Sequence, residues 1–379
     1  MTKNCLYFLL IFSTVFLTTN CDNGTLPTNH EENERYAARL DAIGDSLISN
    51  LIINGKDRSI PGVIIGLHSP DKNFTYLKAF GKADVINSTS LFRDDKFRIG
   101  TLTETFISTI IFRFIEDGKI KLNDPVNKFI QVPHSGGLIT IKHLLSHRSG
   151  LADFTDSVRY YQNEEPMKKF STSELLNYAF NSYPLITPDK KTEYSHTNYL
   201  LLSLVAEQVS GETIGSLIDK RIIKALNLTN TEFQADAQLT GAYSKGYVWS
   251  DSLGLSDYTH NYDYSWLWGS ANMTSNSFDL MSWTKSFVEG RLISANSLQE
   301  MQSFNLFKTK ETLDVKYGKG MMGIGALLGF SGETYGYHTS VYYIPSRKIT
   351  IFVFTNTAND NDNLVVDVAR VVLPALRVN

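Results

Sequence analysis

The hydrophobic pattern of this chain changes period twice. "RYAARLDAIGDSLISNLII" sets Tyr36, Leu40, Ile43, Leu47 and Leu51 at helical spacing, which predicts an amphipathic helix. Pro61-Gly62 ends it. "GVIIGLH" and "FTYLKAFG" are rich in β-branched and aromatic residues, flank the turn "SPDKN", and predict a hairpin. From Thr101 to about Glu300 the period is helical: "TFISTIIFRFIEDG", "IKHLLSHRSG", "TSELLNYAF", "NYLLLSLVAEQVSG", "TIGSLIDKRIIKAL" and "FDLMSWTKSFVEG". Several of these close on a glycine, as helix C-caps do. After Gly318 strand signals return in "GMMGIGALLGF", "SVYYIPS" and "KITIFVFTN", and "NLVVDVARVVLPALRV" predicts a last helix kinked at Pro374.

Strands at both ends and helices between them imply an α/β fold. One layer, about 35–98 and 315–379, is built from both ends of the chain, and a mainly helical region, about 99–314, is inserted into it. A cleft is expected where the two meet, and Thr101 lies there. With 379 residues, 42% of them apolar and 12% aromatic, the chain can bury a large core. Its formal net charge of -3, without a dominant basic cluster, speaks against nucleic acid as a partner.

"MTKNCLYFLLIFSTVFLTTNCDNG" changes the picture at the N-terminus. Lys3 precedes an apolar run from Cys5 to Leu17 that is too short to span a bilayer, so residues 1–20 are expected to be a secretory signal. Cys21 follows at once and is the only cysteine left after cleavage. The segment resembles the lipobox of bacterial lipoproteins, with Asn20 in place of the usual small residue. That resemblance implies an acylated Cys21, a polar tether over 21–34 and a periplasmic or cell-surface location.

Seven blocks then carry a second resemblance. "IPGVIIGL", "AFGKADV", "FRIGTLTETF", "IEDGKIKLNDPVNKFI", "ITIKHLLSHRSGL", "YSHTNYLLLSLVAEQVSG" and "GFSGETYGYHTSVYYIPSRKITIFVFTN" resemble, in this order, the penicillin-recognising serine hydrolases. These are the class C β-lactamases, D-alanyl-D-alanine carboxypeptidases and related esterases. The resemblance runs from about Ile60 to Asn356. It implies an antiparallel sheet flanked by helices, and three motifs around a cleft. The family's Ser-x-x-Lys matches Thr101 and Glu104. Its Tyr-x-Asn matches Tyr194, Ser195 and His196. Its Lys/His-x-Gly matches Phe330, Ser331 and Gly332, with Glu333 following where relatives use a backbone N-H in the oxyanion hole.

These replacements change the chemistry. In the family a cation beside the nucleophile and the tyrosine favours their deprotonated forms. A unit charge about 4 Å away is worth roughly 4 kcal/mol at an effective dielectric near 20. Glu104 reverses its sign, and about 1.4 kcal/mol is tenfold in rate. Phe330 removes the second positive group. Thr-x-x-Glu before an apolar run also has a plain structural meaning, a capping box in which Thr101 and Glu104 satisfy each other's backbone N-H groups. That reading is preferred to a threonine nucleophile with a carboxylate base.

The remaining candidates are weighed the same way. Tyr194 is read as a retained cleft residue, and His196 as a hydrogen-bonded structural histidine rather than a new base. His143 and His147 lack the glutamate of a zinc motif, so neither a metal nor a cofactor is inferred. "GDSL" at Gly44 to Leu47, with "DYTH" at Asp257 to His260, imitates another hydrolase signature. It lies in a helical pattern, so it is read as coincidence.

The expectation is therefore a catalytically degenerate, secreted, lipid-anchored member of the family. It would keep its cleft as a binding or scaffolding surface for cell-wall peptides or another protein. The alternative is a hydrolase of esters, amides or D-amino-acid peptides with Thr101 as nucleophile, helped by a cation such as Arg148 or Lys316. A structural surface lipoprotein indifferent to its cleft is not distinguished from the first. If Cys21 is acylated, the wild-type protein will partition with membranes and carry lipid by intact mass, and Cys21→Ser will be released. A soluble wild type without lipid would refute the anchor.

Overall fold

The computed structural model describes residues 29–358, apart from 50–51, 54–55, 58–59, 134–136, 183–185, 235, 251–252 and 309–313. The expected signal segment, Cys21 and the expected C-terminal helix lie outside the described residues. "GVIIGLHS" has almost no polar position, which suits a strand covered on both faces. Helix α1 (Asn29–Ser49) covers one of them. It lies over strands β1 (Gly62–Ser69) and β2 (Phe74–Asp84), with β3 (Thr89–Ser90) beyond them. Val63, Ile65 and Leu67 face Tyr36, Leu40, Ile43 and Leu47 of α1, while Ile64 faces the other way into the main core. The period of two along the strand divides one apolar run between two cores.

The inserted region contributes α2 (Thr103–Glu116), α3 (Ile141–Leu145), α4 (His196–Ser210) and α5 (Ser277–Val288), among other helices. The chain then returns as β4 (Asn305–Lys308), β5 (Asp314–Tyr317), β6 (Met322–Ile324), β7 (Leu327–Thr334), β8 (Tyr337–Ile344) and β9 (Ile349–Thr355). The nine strands form one antiparallel sheet in the order β4-β5-β6-β7-β8-β9-β1-β2-β3. Strand β9 pairs with β1 from Thr350 against His68 to Thr355 against Val63, so the two ends of the chain meet inside the sheet. The fold is thus mixed α/β, with α1 on one face and α2 and α5 on the other.

Three details differ from the pattern in the sequence. Helix α1 begins at Asn29, so residues 29–34 of the expected tether are helical, and Glu31 and Glu32 occupy its first turn. Carboxylates there suit the positive end of the helix. The sheet begins again at Asn305, ahead of the expected 315. The stretch 227–276 is mostly loop and short strand rather than helix. "GDSL" lies within α1, away from any strand-to-helix turn.

The sheet also fixes the cleft. Strand β7 pairs with β6 only through Leu327–Gly329, so the ladder to β6 does not continue along 330–334. The segment 99–102 comes up against this part of β7. A Cβ on Gly332 would lie 2.1 Å from the Ile99 carbonyl oxygen, and one on Gly100, whose φ is +54°, 2.4 Å from the carbonyl oxygen of Glu333. Only glycine at both positions lets the two backbones approach this closely.

Candidate functional site

The segment "IGTLTE" does not form the expected capping box. Gly100–Leu102 is a single 3-10 turn, and α2 starts after it at Thr103 with no side-chain cap at Leu102. The Thr101 hydroxyl turns to the sheet and donates to the Ser331 carbonyl oxygen at 3.2 Å. Thr103 holds the turn instead, donating to the Gly100 carbonyl at 2.7 Å. The turn moves the helix start past Thr101, so Glu104 points into the protein rather than back across the helix end.

Glu104 is fully buried, at 0% exposure, and every partner it has is a donor. Tyr194 donates to Oε1 at 2.5 Å, and Tyr317, at the end of β5, donates to Oε2 at 2.5 Å. The His147 ring lies with Nε2 3.2 Å from Oε2 and 2.9 Å from the Tyr317 hydroxyl. Its other nitrogen, Nδ1, accepts from the Ser195 backbone N-H at 3.2 Å and from the Asn198 amide at 3.1 Å. Both are donors, so Nδ1 carries no proton and Nε2 does. The ring is also stacked on Tyr194 at 4.4 Å and lies edge-on to Tyr317 at 4.5 Å.

This packing fixes the protonation of the tyrosines. Burial, and after it the negative charge of Glu104, holds the Tyr194 phenol well above its ordinary value. The same two causes raise Tyr317 and Tyr199. A cation at position 104 would do the opposite. Tyr194 is therefore a proton donor to Glu104, and no base at neutral pH.

The third motif is filled with apolar matter. Phe330 is 3% exposed and packs against the Tyr317 ring at 5.8 Å in an edge-to-face contact. The Ser331 side chain projects to the opposite face of β7, where it bonds with Ser340 and Tyr342 at 2.8 and 2.9 Å. Only its carbonyl takes part at the cleft. The Glu333 side chain is exposed.

Ser195 and His196 open α4 and are fixed by the loop 152–153. The Ser195 hydroxyl donates to the Ala152 carbonyl at 3.2 Å. Asp153 accepts from the His196 backbone N-H at 3.2 Å and bonds its Nδ1 at 2.8 Å. Burial works against the charge of both residues, but their mutual attraction outweighs it, lowering Asp153 and raising His196 from their ordinary values. The His196 ring also stands edge-on to Tyr194 at 5.0 Å. Neither cation considered for an active enzyme reaches Glu104: Arg148 is bound to Asp189 and Thr192, and Lys316 is exposed on the side of β5 opposite Tyr317. His143 bonds within its own helix start, in a capping box with Thr140.

The sequence pattern did not point to Tyr317, Asn198 or Asp153, nor to the role of His147 beyond the metal site it was weighed for. A usable signal was present. A carboxylate in an apolar helix has to find donors if it is buried, and that requirement points to tyrosines and histidines elsewhere in the chain.

Comparisons with known proteins agree with this fold. The family model described as Beta-lactamase matches residues 45–375. A penicillin-binding protein of Bacillus subtilis is 24% identical over 330 residues, covering 81% of this chain and 70% of the relative. A teichoic acid D-alanine hydrolase of Staphylococcus aureus is 24% identical over 285 residues, covering 75% and 68%. Among solved structures, a D-amino acid amidase from Ochrobactrum anthropi, complexed with L-phenylalanine amide, superposes with a TM-score of 0.79 at 22% identity. That match covers 92% of this chain and 99% of the amidase. The family resemblance and the fold class read from the sequence are both borne out.

Two predictions come from this geometry. Glu104→Ala leaves the Tyr194 and Tyr317 hydroxyls without their acceptor, each costing about 1–3 kcal/mol. Thr101→Ala loses one half-buried hydrogen bond, worth about 0.5–1.5 kcal/mol. Denaturant unfolding should therefore show Glu104→Ala as much the more destabilising change, the reverse of the order for a capping box. The Asp153–His196 pair sets a pH window. The His196 contribution is complete below its unfolded value near 6.5 and is lost as pH rises through its raised folded value. That of Asp153 is present above its unfolded value near 3.9 and is lost as pH falls toward its lowered folded value. Between about pH 4 and 6.5 both are in place. Melting temperatures of wild type and His196→Gln should differ most in that window and converge above it.

Proposed function

We propose that this chain, which belongs to the beta-lactamase family, has given up acyl transfer and keeps its cleft as a binding site for D-amino-acid-bearing cell-wall peptides. The observation that carries the first half is the state of the hydroxyl at position 101. An attacking oxygen needs a neighbour that can take its proton. The Thr101 hydroxyl donates to a peptide carbonyl, which is no base. Glu104, in the place of the family's lysine, has both oxygens engaged by Tyr194, Tyr317 and His147. Tyr194 is held in its protonated form.

The ligand class rests on the relatives. The hydrolase of Staphylococcus aureus is named for D-alanine on teichoic acid, and the amidase for D-amino acids. Export and acylation of Cys21 belong to the same proposal, because they would put the cleft where such peptides are.

Penicillin and fluorophosphonate probes should leave the intact mass of the wild type unchanged, while a D-alanyl-D-alanine peptide should bind by calorimetry. The variant combining Thr101→Ser, Glu104→Lys and Phe330→His restores the family's hydroxyl and both cations, and it should gain acylation by the same probes. Covalent labelling of the wild type that disappears in Thr101→Ala would overturn the loss of chemistry. Failure to bind the peptide would overturn the ligand.

A further inference from the structure

The turn that carries Thr101 is preceded by a short strand, Phe97–Arg98. It pairs with Met273–Ser275, which pairs in turn with Glu232–Phe233. Alternation sends Phe97 and Ile99 into the main core and Arg98 to the other side. There Arg98 is 1% exposed, and its guanidinium lies over the Tyr264 ring, 3.5 Å from its centre. Nη2 donates to the Ala237 carbonyl at 2.7 Å and to that of Asp236 at 3.3 Å. Nε and Nη1 are buried and have no acceptor among the described residues. Burial can discharge a lysine or a histidine, but an arginine keeps its proton.

The neighbouring carboxylates are committed elsewhere. Glu232 belongs to the same cross-strand row, through Thr274, and is bonded by Lys96 and Thr240. Asp236 accepts with its carboxylate from the Gln234 amide and the Gln238 backbone N-H. Asp263, next to Tyr264, caps its own turn at the Ser265 N-H. Among the described residues, Arg98 therefore has carbonyls and a ring face for partners, and no anion.

A second orphan lies across the ladder. Thr274 is directly opposite Arg98, and Cβ atoms of such pairs sit about 4.5–5.5 Å apart on one face. Its hydroxyl is buried and has no partner among the described residues. Nε is the guanidinium nitrogen nearest the backbone, so the row brings an N-H and an O-H donor to one face. A buried cation without a counter-charge is costly. These groups call for an acceptor that is negative and small enough for an interior position.

We infer that Arg98 and Thr274 hold a small monovalent anion of the chloride type, between Nε-H and the Thr274 hydroxyl. Its route is short, because Asp236, Gln238 and Thr240 of the loop beside Arg98 are exposed, whereas Ala237 and Leu239 are buried. The anion ties Phe97–Arg98 to Met273–Ser275. Met273 also accepts from the Ile99 N-H and donates to the Thr103 hydroxyl, so the same strand braces both sides of the turn at Thr101. The site does not depend on what the cleft binds.

The test melts the purified protein in sodium chloride and in sodium gluconate at matched ionic strength. Above the dissociation constant, each tenfold rise in chloride should raise the wild-type Tm by roughly 2 °C, and bromide should replace chloride. Arg98→Gln should lose this response. Thr274→Val should need at least threefold more chloride for the same shift, and Asp236→Asn should respond like the wild type. Should Arg98→Gln fail to fold, Thr274→Val and the anomalous signal of a bromide-soaked crystal carry the test, with a bromide expected beside Arg98 Nε. Equal melting in chloride and gluconate, or an unchanged response in Thr274→Val, overturns the inference. So does a bromide-free site, which would mean that water alone meets these donors. Loss of the response in Asp236→Asn would make that carboxylate the counter-ion and overturn it as well.

Discussion

A carboxylate with no exposed surface governs the interior of this protein. An uncompensated buried charge costs on the order of several kcal/mol, so Glu104 can be tolerated only where donors converge. Tyr194, Tyr317 and His147 come from three separated parts of the chain to meet it. Their own positions then need support. His147 is held by Asn198 and the Ser195 backbone, and the start of α4 by Asp153. The arrangement ties β5, α3 and α4 to α2 through one acid group.

The same network accounts for the character of the cleft. In the relatives' chemistry a cation at this point lowers the cost of removing protons from the nucleophile and the tyrosine. An anion raises that cost, and the tyrosines respond by staying protonated. Phe330 extends the change, because its ring seals the floor against Tyr317 where a charged group would need water or a counter-ion. The substitutions are consistent with one another: acid for base, phenyl for cation, threonine turned to the sheet. Glu104, Tyr194, Tyr317 and His147 together form one hydrogen-bonded cluster.

The sheet, the hairpin and most helices were legible because burial imposes a period, as Val63, Ile64 and Ile65 show by alternating between two cores. The cleft position was legible from the place of Thr101 between the two patterns. The orientation of Glu104 was not. A threonine and a glutamate three apart fit a capping box in any one-dimensional reading, and only the 3-10 turn at Gly100–Leu102, forced by the close approach of β7, moves the helix start past them. Tyr317 could not be singled out from among the tyrosines for a similar reason. Nothing local distinguishes it from a core tyrosine, and its role exists only through a carboxylate on a distant helix.

The pairing of β9 with β1 has a kinetic side. The first hairpin is complete early in the chain, yet the neighbour that covers its open edge is nearly the last strand. An apolar strand such as β1, buried on both faces in the finished sheet, has to wait for almost the whole chain before its second edge is paired. Contacts this distant in sequence carry a high loop-closure cost and slow folding. The chain therefore stays open until its end is available, with the edge of β1 liable to pair with another molecule in the meantime.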